Sequence, residues 1–199
     1  MICLGDIGVP STTTVKSLCI EEERRALVNF KQHLVDPSGR LSSWVGHECC
    51  RWEGLSCGNS TGRVVKMNLR NPYPNSNSSS YEKSFLGGIP IPKFFGELKS
   101  LQYLNLSLAS FGGEIPPSLG NLSSLSFLDL GLNFDLSSRN LNWLSRLSSL
   151  KYLDLGEADL STTRVNWVYV VNSFLHYQSY TYLRAKLKAF HSSLCNTLI

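Results

Sequence analysis

Leucines between Leu98 and Leu160 recur at fixed steps. Leu101, Leu104 and Leu106 return as Leu125, Leu128 and Leu130, and again as Leu150, Leu153 and Leu155, at offsets of 24 and 25 residues. Leu98, Leu122 and Leu147 stand three residues ahead of each trio, so the unit reads L-x-x-L-x-x-L-x-L. Two periodicities are nested in it. In L-x-L the side chains alternate between the faces of a short strand, which predicts Leu104 and Leu106 inward and Tyr103, Asn105 and Ser107 outward. The three-residue steps before it suit a 3₁₀ or helical turn.

A period in the twenties with this spacing predicts an α/β repeat, a leucine-rich repeat solenoid with parallel strands on the concave face and 3₁₀ or irregular segments on the convex side. One unit cannot bury its leucines alone, so its neighbours must complete both the burial and the strand ladder. An earlier strand is expected at Val64-Val65-Lys66-Met67-Asn68-Leu69, with Met67 and Leu69 inward, making roughly four strands in the repeat region 61–161. From Leu69 to Leu106 is 37 residues, more than one period. The excess contains Asn71-Pro72-Tyr73-Pro74 and a run of Asn and Ser, which reads as a surface loop over 71–86 before Gly87-Gly88-Ile89-Pro90 restarts the repeat. It is either a plain insertion or the remnant of a lost repeat.

Ahead of the repeats, Ile20, Leu27, Phe30 and Leu34 fall near one face of a helix that begins with Glu21, Glu22 and Glu23. Asp36-Pro37-Ser38-Gly39 makes a turn, and Leu41-Ser42-Ser43-Trp44 leads to the cluster Cys49-Cys50-Arg51-Trp52-Glu53-Gly54-Leu55-Ser56-Cys57. A solenoid end exposes the apolar edge of its first repeat, so Cys19, Cys49, Cys50 and Cys57 are read as disulfides stapling a helical cap over residues 19–60. A zinc site with His47 is the competing reading, but C-C-x₆-C does not match the pairing zinc modules prefer. Four cysteines allow three pairings, and the spacing does not choose among them. Cys3 and Cys195 have no evident partner.

A hydrophobic content of 42% argues against wholesale disorder. The net charge of +4 comes entirely from Arg164, Arg184, Lys186 and Lys188, since residues 1–161 balance 15 basic against 15 acidic side chains. A nucleic-acid binder would spread its cations along a structured face, so no nucleic acid is expected. No apolar run reaches the length of a membrane span. Residues 1–18 contain no continuous apolar stretch of a secretory leader, so no signal peptide is read there. No G-x-S-x-G, H-E-x-x-H or phosphate-binding loop occurs, and His33, His47, His176 and His191 join no acid–base arrangement. No catalytic residue, metal or cofactor is expected, and the chain does not read as an enzyme.

The order of Cys19, E-x-x-R-x-A-L-x-x-F-K over Glu21 to Lys31, L-S-S-W over Leu41 to Trp44 and C-C-x-W-x-G-x-x-C over Cys49 to Cys57 resembles the N-terminal cap of plant extracellular leucine-rich repeat proteins. Gly113-Glu114-Ile115-Pro116 and Leu119-Gly120-Asn121-Leu122 resemble the plant-specific repeat. Together these motifs cover residues 19 to about 161 and are most similar to plant receptor-like proteins of immunity and development, a class that includes fungal-elicitor receptors. The resemblance implies sequential pairing, Cys19 with Cys49 and Cys50 with Cys57. It also implies a location at the extracellular face of the plasma membrane or in the apoplast, a protein or peptide ligand, and a co-receptor kinase as partner.

The repeats depart from that pattern in three ways. The position that usually holds Asn after the strand holds Ala109, Asn133 and Ala158. G-x-I-P is complete only at Gly113 to Pro116. Beyond Ser161 the leucine spacing stops, leaving 162–199 as a divergent tail, read as a short helix around Tyr180 to Phe190 or as a departure of the coding frame.

Four N-x-S/T sequons mark Asn59, Asn77, Asn105 and Asn121 as glycan acceptors, with Asn77 the best placed in a polar loop. The outward strand positions stack into two columns, Tyr103, Phe127 and Tyr152 beside Asn105, Asp129 and Asp154, which form the candidate ligand face. The sequence is thus read as an N-terminal fragment of a receptor-like protein that recognises an extracellular ligand. Two alternatives stand beside it: a soluble inhibitor of secreted cell-wall hydrolases, similar to polygalacturonase inhibitors, and a truncated product without activity.

Overall fold

Glu21–His33 forms helix α1, with three acids in its first turn and Lys31 and His33 in its last, the arrangement that favours the helix dipole. The computed structural model describes residues 18–73, 84–87, 89–161 and 182–184. Asn77, Cys3, Cys195, residues 1–17 and most of the expected loop and tail lie outside them. Leu27 and Phe30 are buried on the inner face of α1. The Phe30 ring meets Trp44, Phe94, Phe95 and Phe111, so one residue carries the helix onto both the cap and the first repeats. Glu23 reaches the same interface with a carboxylate. It is only 6% exposed, accepts the Val64 N–H at 2.7 Å and pairs with Arg63 at 3.3 Å. An unpaired charge there would be costly, and these two donors offset the burial.

Cys19 is bonded to Cys49 and Cys50 to Cys57. Trp44 and Trp52 stack at 5.4 Å, and their indole N–H groups donate to the carbonyls of Glu53 and Val45. Arg40 ties the cap to the chain beyond it by donating to the carbonyls of Ser84, Leu69 and Arg70.

Strand β1 (Leu55–Cys57) pairs antiparallel with β2 (Val64–Asn68). From β2 the sheet continues in parallel through β3 (Tyr103–Asn105), β5 (Phe127–Asp129), β7 (Tyr152–Asp154) and β8 (Tyr182–Arg184). Met67, Leu104, Leu128 and Leu153 stand in one register and are buried, as are Leu69, Leu106, Leu130 and Leu155 one step on. A single core runs from Leu27 to Leu160. Its second wall is built by 3₁₀ turns at Lys93–Glu97, Pro117–Asn121 and Asn142–Arg146.

The helix expected around Tyr180 gives way to β8 at Tyr182–Arg184, where the backbone extends the ladder without a leucine trio. Likewise β6 (Asp135–Ser137) forms where G-x-I-P is missing and pairs in parallel with β4 (Gly112–Glu114). Backbone pairing needs only the register, not the motif. At Gly120 the repeats approach so closely that an added Cβ would lie 2.5 Å from the Trp143 carbonyl oxygen.

Two stability outcomes follow from this packing. Because the Cys19–Cys49 loop spans 30 residues and Cys50–Cys57 only 7, the chain-entropy model gives about 3–4 and about 2 kcal/mol. In chemical denaturation the Cys19→Ser/Cys49→Ser variant is expected to lose more stability than Cys50→Ser/Cys57→Ser; the reverse order would contradict that account. Gly120→Ala is expected to cost about 1–3 kcal/mol through overpacking against backbone, read as a lowered urea midpoint with an unchanged slope.

Candidate ligand-binding face

Strand register sets the exposed face of the sheet. Lys66, Tyr103, Phe127 and Tyr152 are aligned across β2, β3, β5 and β7. The rings of Tyr103 and Phe127 stack at 4.3 Å with an interplanar angle of 9°, and those of Phe127 and Tyr152 at 4.2 Å and 5°. Lys66 Nζ lies 5.0 Å from the Tyr103 centroid and closes that end of the stack by a cation–π contact. The backbone of β8 places Tyr182 next in the same register. Ring faces are therefore turned toward one another, and the edges point out.

Beside the rings runs the column Asn68, Asn105, Asp129 and Asp154, continued in register by Arg184. Asn105 stands in the outward register, yet it is only 5% exposed. Its Oδ1 accepts the Ser107 N–H and hydroxyl at 3.0 and 2.7 Å, and its Nδ2 donates to the Tyr103 hydroxyl at 3.4 Å. Asp129 Oδ1 accepts the Gly131 N–H at 3.0 Å and Asp154 Oδ1 the Gly156 N–H at 2.7 Å. Both carboxylates lean over Gly131, where an added Cβ would stand 3.0 Å from Asp154 Oδ1 and 3.2 Å from Asp129 Oδ1. Glycine leaves the room they share.

Burial holds the Asp129 carboxyl above the usual carboxylate range, Asp154 adds repulsion, and the Gly131 N–H, Ser107 and Arg70 act the other way. A shared groove lies between the cap and β2, lined by Arg40, Glu53, Asn68, Arg70, Tyr73 and Ser84. The columns expected from the sequence begin at Tyr103 and Asn105, and the register extends them to Lys66 and Asn68 on β2. Alternation along the strand expected at Val64 carries that signal, since it places Lys66 and Asn68 outward.

Of the sequons, Asn59 is exposed on the turn between β1 and β2, and Asn121 is exposed where a 3₁₀ turn ends on the wall opposite the sheet. The sulfurs of Cys19, Cys49 and Cys50 lie within 4.8 Å of one another, but each is spent in a disulfide and offers no thiolate to a metal.

The leucine columns, the parallel ladder and the stapled cap make this a leucine-rich repeat protein. Residues 20–58 match the family described as leucine rich repeat N-terminal domain. Within that class its relatives are plant receptor-like proteins. The chain is similar to receptor-like protein EIX1 of Solanum lycopersicum, at 37% identity over 76% of this chain and 17% of the relative. It is similar to receptor-like protein EIX2 of the same plant, at 39% identity over 55% of this chain and 13% of the relative. Among solved structures, the leucine-rich repeat ectodomain of the Arabidopsis thaliana membrane receptor kinase GASSHO1/SCHENGEN3, in complex with CASPARIAN STRIP INTEGRITY FACTOR 2, superposes with a TM-score of 0.55 at 27% identity, over 69% of this chain and 15% of that one. The chain thus spans less than a fifth of the length of these relatives.

The face carries a titration consequence. Asp129 in the folded protein holds its proton at a higher pH than in the unfolded chain. Its ionised form therefore costs stability at neutral pH, and the cost fades as pH falls through the raised pKa. Asp129→Asn keeps the acceptor for Gly131 and is expected to raise Tm at pH 7 more than at pH 4. A lower Tm at pH 7 would show that the charge stabilises the face.

Proposed function

We propose that this chain is a ligand-recognition module of a plant receptor-like protein, acting at the extracellular face of the plasma membrane or in the apoplast. Its role is binding rather than catalysis, with a protein or peptide ligand and a co-receptor kinase as partners. The observation that carries this reading is the stacked column of Tyr103, Phe127 and Tyr152 on an open sheet face, beside polar side chains held by backbone donors. Rigid aromatics next to placed polar groups are what protein-recognition surfaces use. The groups assigned to the ligand are Tyr103, Phe127, Asp129, Tyr152 and Asp154; Asn105 supports the column from below. Asn59, Asn77 and Asn121 are proposed as glycan acceptors, whereas Asn105 is only 5% exposed and is set aside; a sugar on Asn121 would stand on the wall opposite the sheet, clear of the ligand face. Among the described residues no helix is long and apolar enough to cross a membrane.

The test is a secreted, glycosylated preparation screened against a peptide display library, with Phe127→Ala as the control surface. Enrichment of peptides by the parent chain and a roughly tenfold or greater loss with Phe127→Ala is expected, the size of a binding hot spot. Inhibition of fungal polygalacturonases, unaltered by Phe127→Ala, would favour the hydrolase-inhibitor reading instead.

A further inference from the structure

The face is polarised, and the polarity names its ligand. Lys66 and Arg70 are both exposed on and just after β2, and neither forms a salt bridge among the described residues. Asp129 and Asp154 stand on β5 and β7 with the neutral side chains of Asn105 and Ser107 between the two charged ends. Arg184 occupies the register position beyond Asp154, so the acidic stripe is two strands wide. Like charges in adjacent register repel. The fold holds them together over Gly131 nonetheless, and their Oδ1 atoms are fixed by the Gly131 and Gly156 N–H groups.

The aromatic column decides which class of ligand fits. A sugar ring binds by stacking on an open aromatic face, and here both faces of Tyr103 and Phe127 and the inner face of Tyr152 are covered by a neighbouring ring or by Lys66. Ring edges and tyrosine hydroxyls remain, which suit aliphatic side chains and backbone groups of a peptide.

Resting on the reading of this sheet as a peptide-binding face, the geometry points to an extended, dipolar peptide segment laid across the strands, with an acidic group toward Lys66 and Arg70 and a basic side chain between Asp129 and Asp154. Adjacent strands are about 4.8 Å apart, so β2 lies roughly 10–14 Å from β5 and β7. An extended chain rising about 3.3 Å per residue spans this in three to four residues. The segment thus carries its acid and its base three or four positions apart.

A decapeptide library with one acidic and one basic residue at every separation, in an otherwise neutral background, tests this on the full chain. Enrichment is expected at separations of three and four, with affinity falling about tenfold when either charge is removed, in the range of a charge-assisted hydrogen bond. Asp129→Asn/Asp154→Asn should erase the preference for the base and leave that for the acid. Lys66→Gln/Arg70→Gln should do the opposite, and thermal midpoints no lower than the parent's would exclude misfolding as the cause. Peptides enriched without regard to charge separation, or a preference that survives both double variants, would overturn the polarity while leaving the peptide-binding face intact. Binding of neutral xylan, cellulose or chitin oligosaccharides with no peptide enriched would overturn both.

Discussion

Everything in this molecule depends on stacking in register. A single repeat has a strand of three residues and a handful of leucines, too little to hold itself. Met67, Leu104, Leu128 and Leu153 are buried only because each repeat lies against the next in the same phase. A slip of one residue would turn the leucines out and the tyrosines in. The same constraint that builds the core therefore builds the ring column on the other side of the sheet.

Such a stack has a beginning that must be covered, and the cap does this with chemistry the repeats lack. The buried Glu23 carboxylate takes the first backbone donor of β2, at Val64. Arg40 takes three carbonyls around the end of that strand, and burial pulls its guanidinium pKa down. Phe30 supplies the apolar contact, its ring meeting Trp44 in the cap and Phe94, Phe95 and Phe111 in the repeats. The partly exposed ion pairs at the front of α1 belong to a different class. Glu21 is held at about 2 by hydrogen bonds from Arg24 and then Arg25, so whatever it adds is present above the ordinary carboxylate range and is lost only as pH falls toward that value. Solvent screens it.

What the sequence made legible was whatever repeats. The leucine trios gave the strands, the alternation gave the outward columns, and the cysteine cluster marked the cap. Single-copy interactions left no pattern to read: neither Glu23 against Val64 nor Arg40 against three carbonyls has a spacing that announces it. Asn105 shows the limit of alternation, since it stands in an outward position yet its side chain is spent on Ser107 and Tyr103. Asn133 shows the opposite case. It alone holds the usual residue of the turn, and it serves two repeats at once, accepting from Phe111 and donating to Leu106 and Leu130. Ala109 and Ala158 offer no such bonds, and their turns rest instead on Asn105 and Asp154 at the strand ends, which accept the Ser107 and Gly156 N–H groups.

That economy has a cost in the same turns. Leu108, Leu132 and Glu157 occupy one equivalent position, and all three have left-handed backbone, with φ of 58°, 59° and 72°. Each such residue without a glycine's freedom stores roughly 1 kcal/mol or more. Leu108 recovers part of this by burial, whereas Leu132 is 42% exposed and recovers little. The strain persists because the preceding strand and the following turn are both fixed by neighbours, with the Leu132 N–H bonded to the Gly156 carbonyl. Local preference yields to the ladder here as it does at β6 and β8. The sheet face inherits that rigidity, and rigidity is what lets two carboxylates be held side by side over Gly131 where a free chain would let them part.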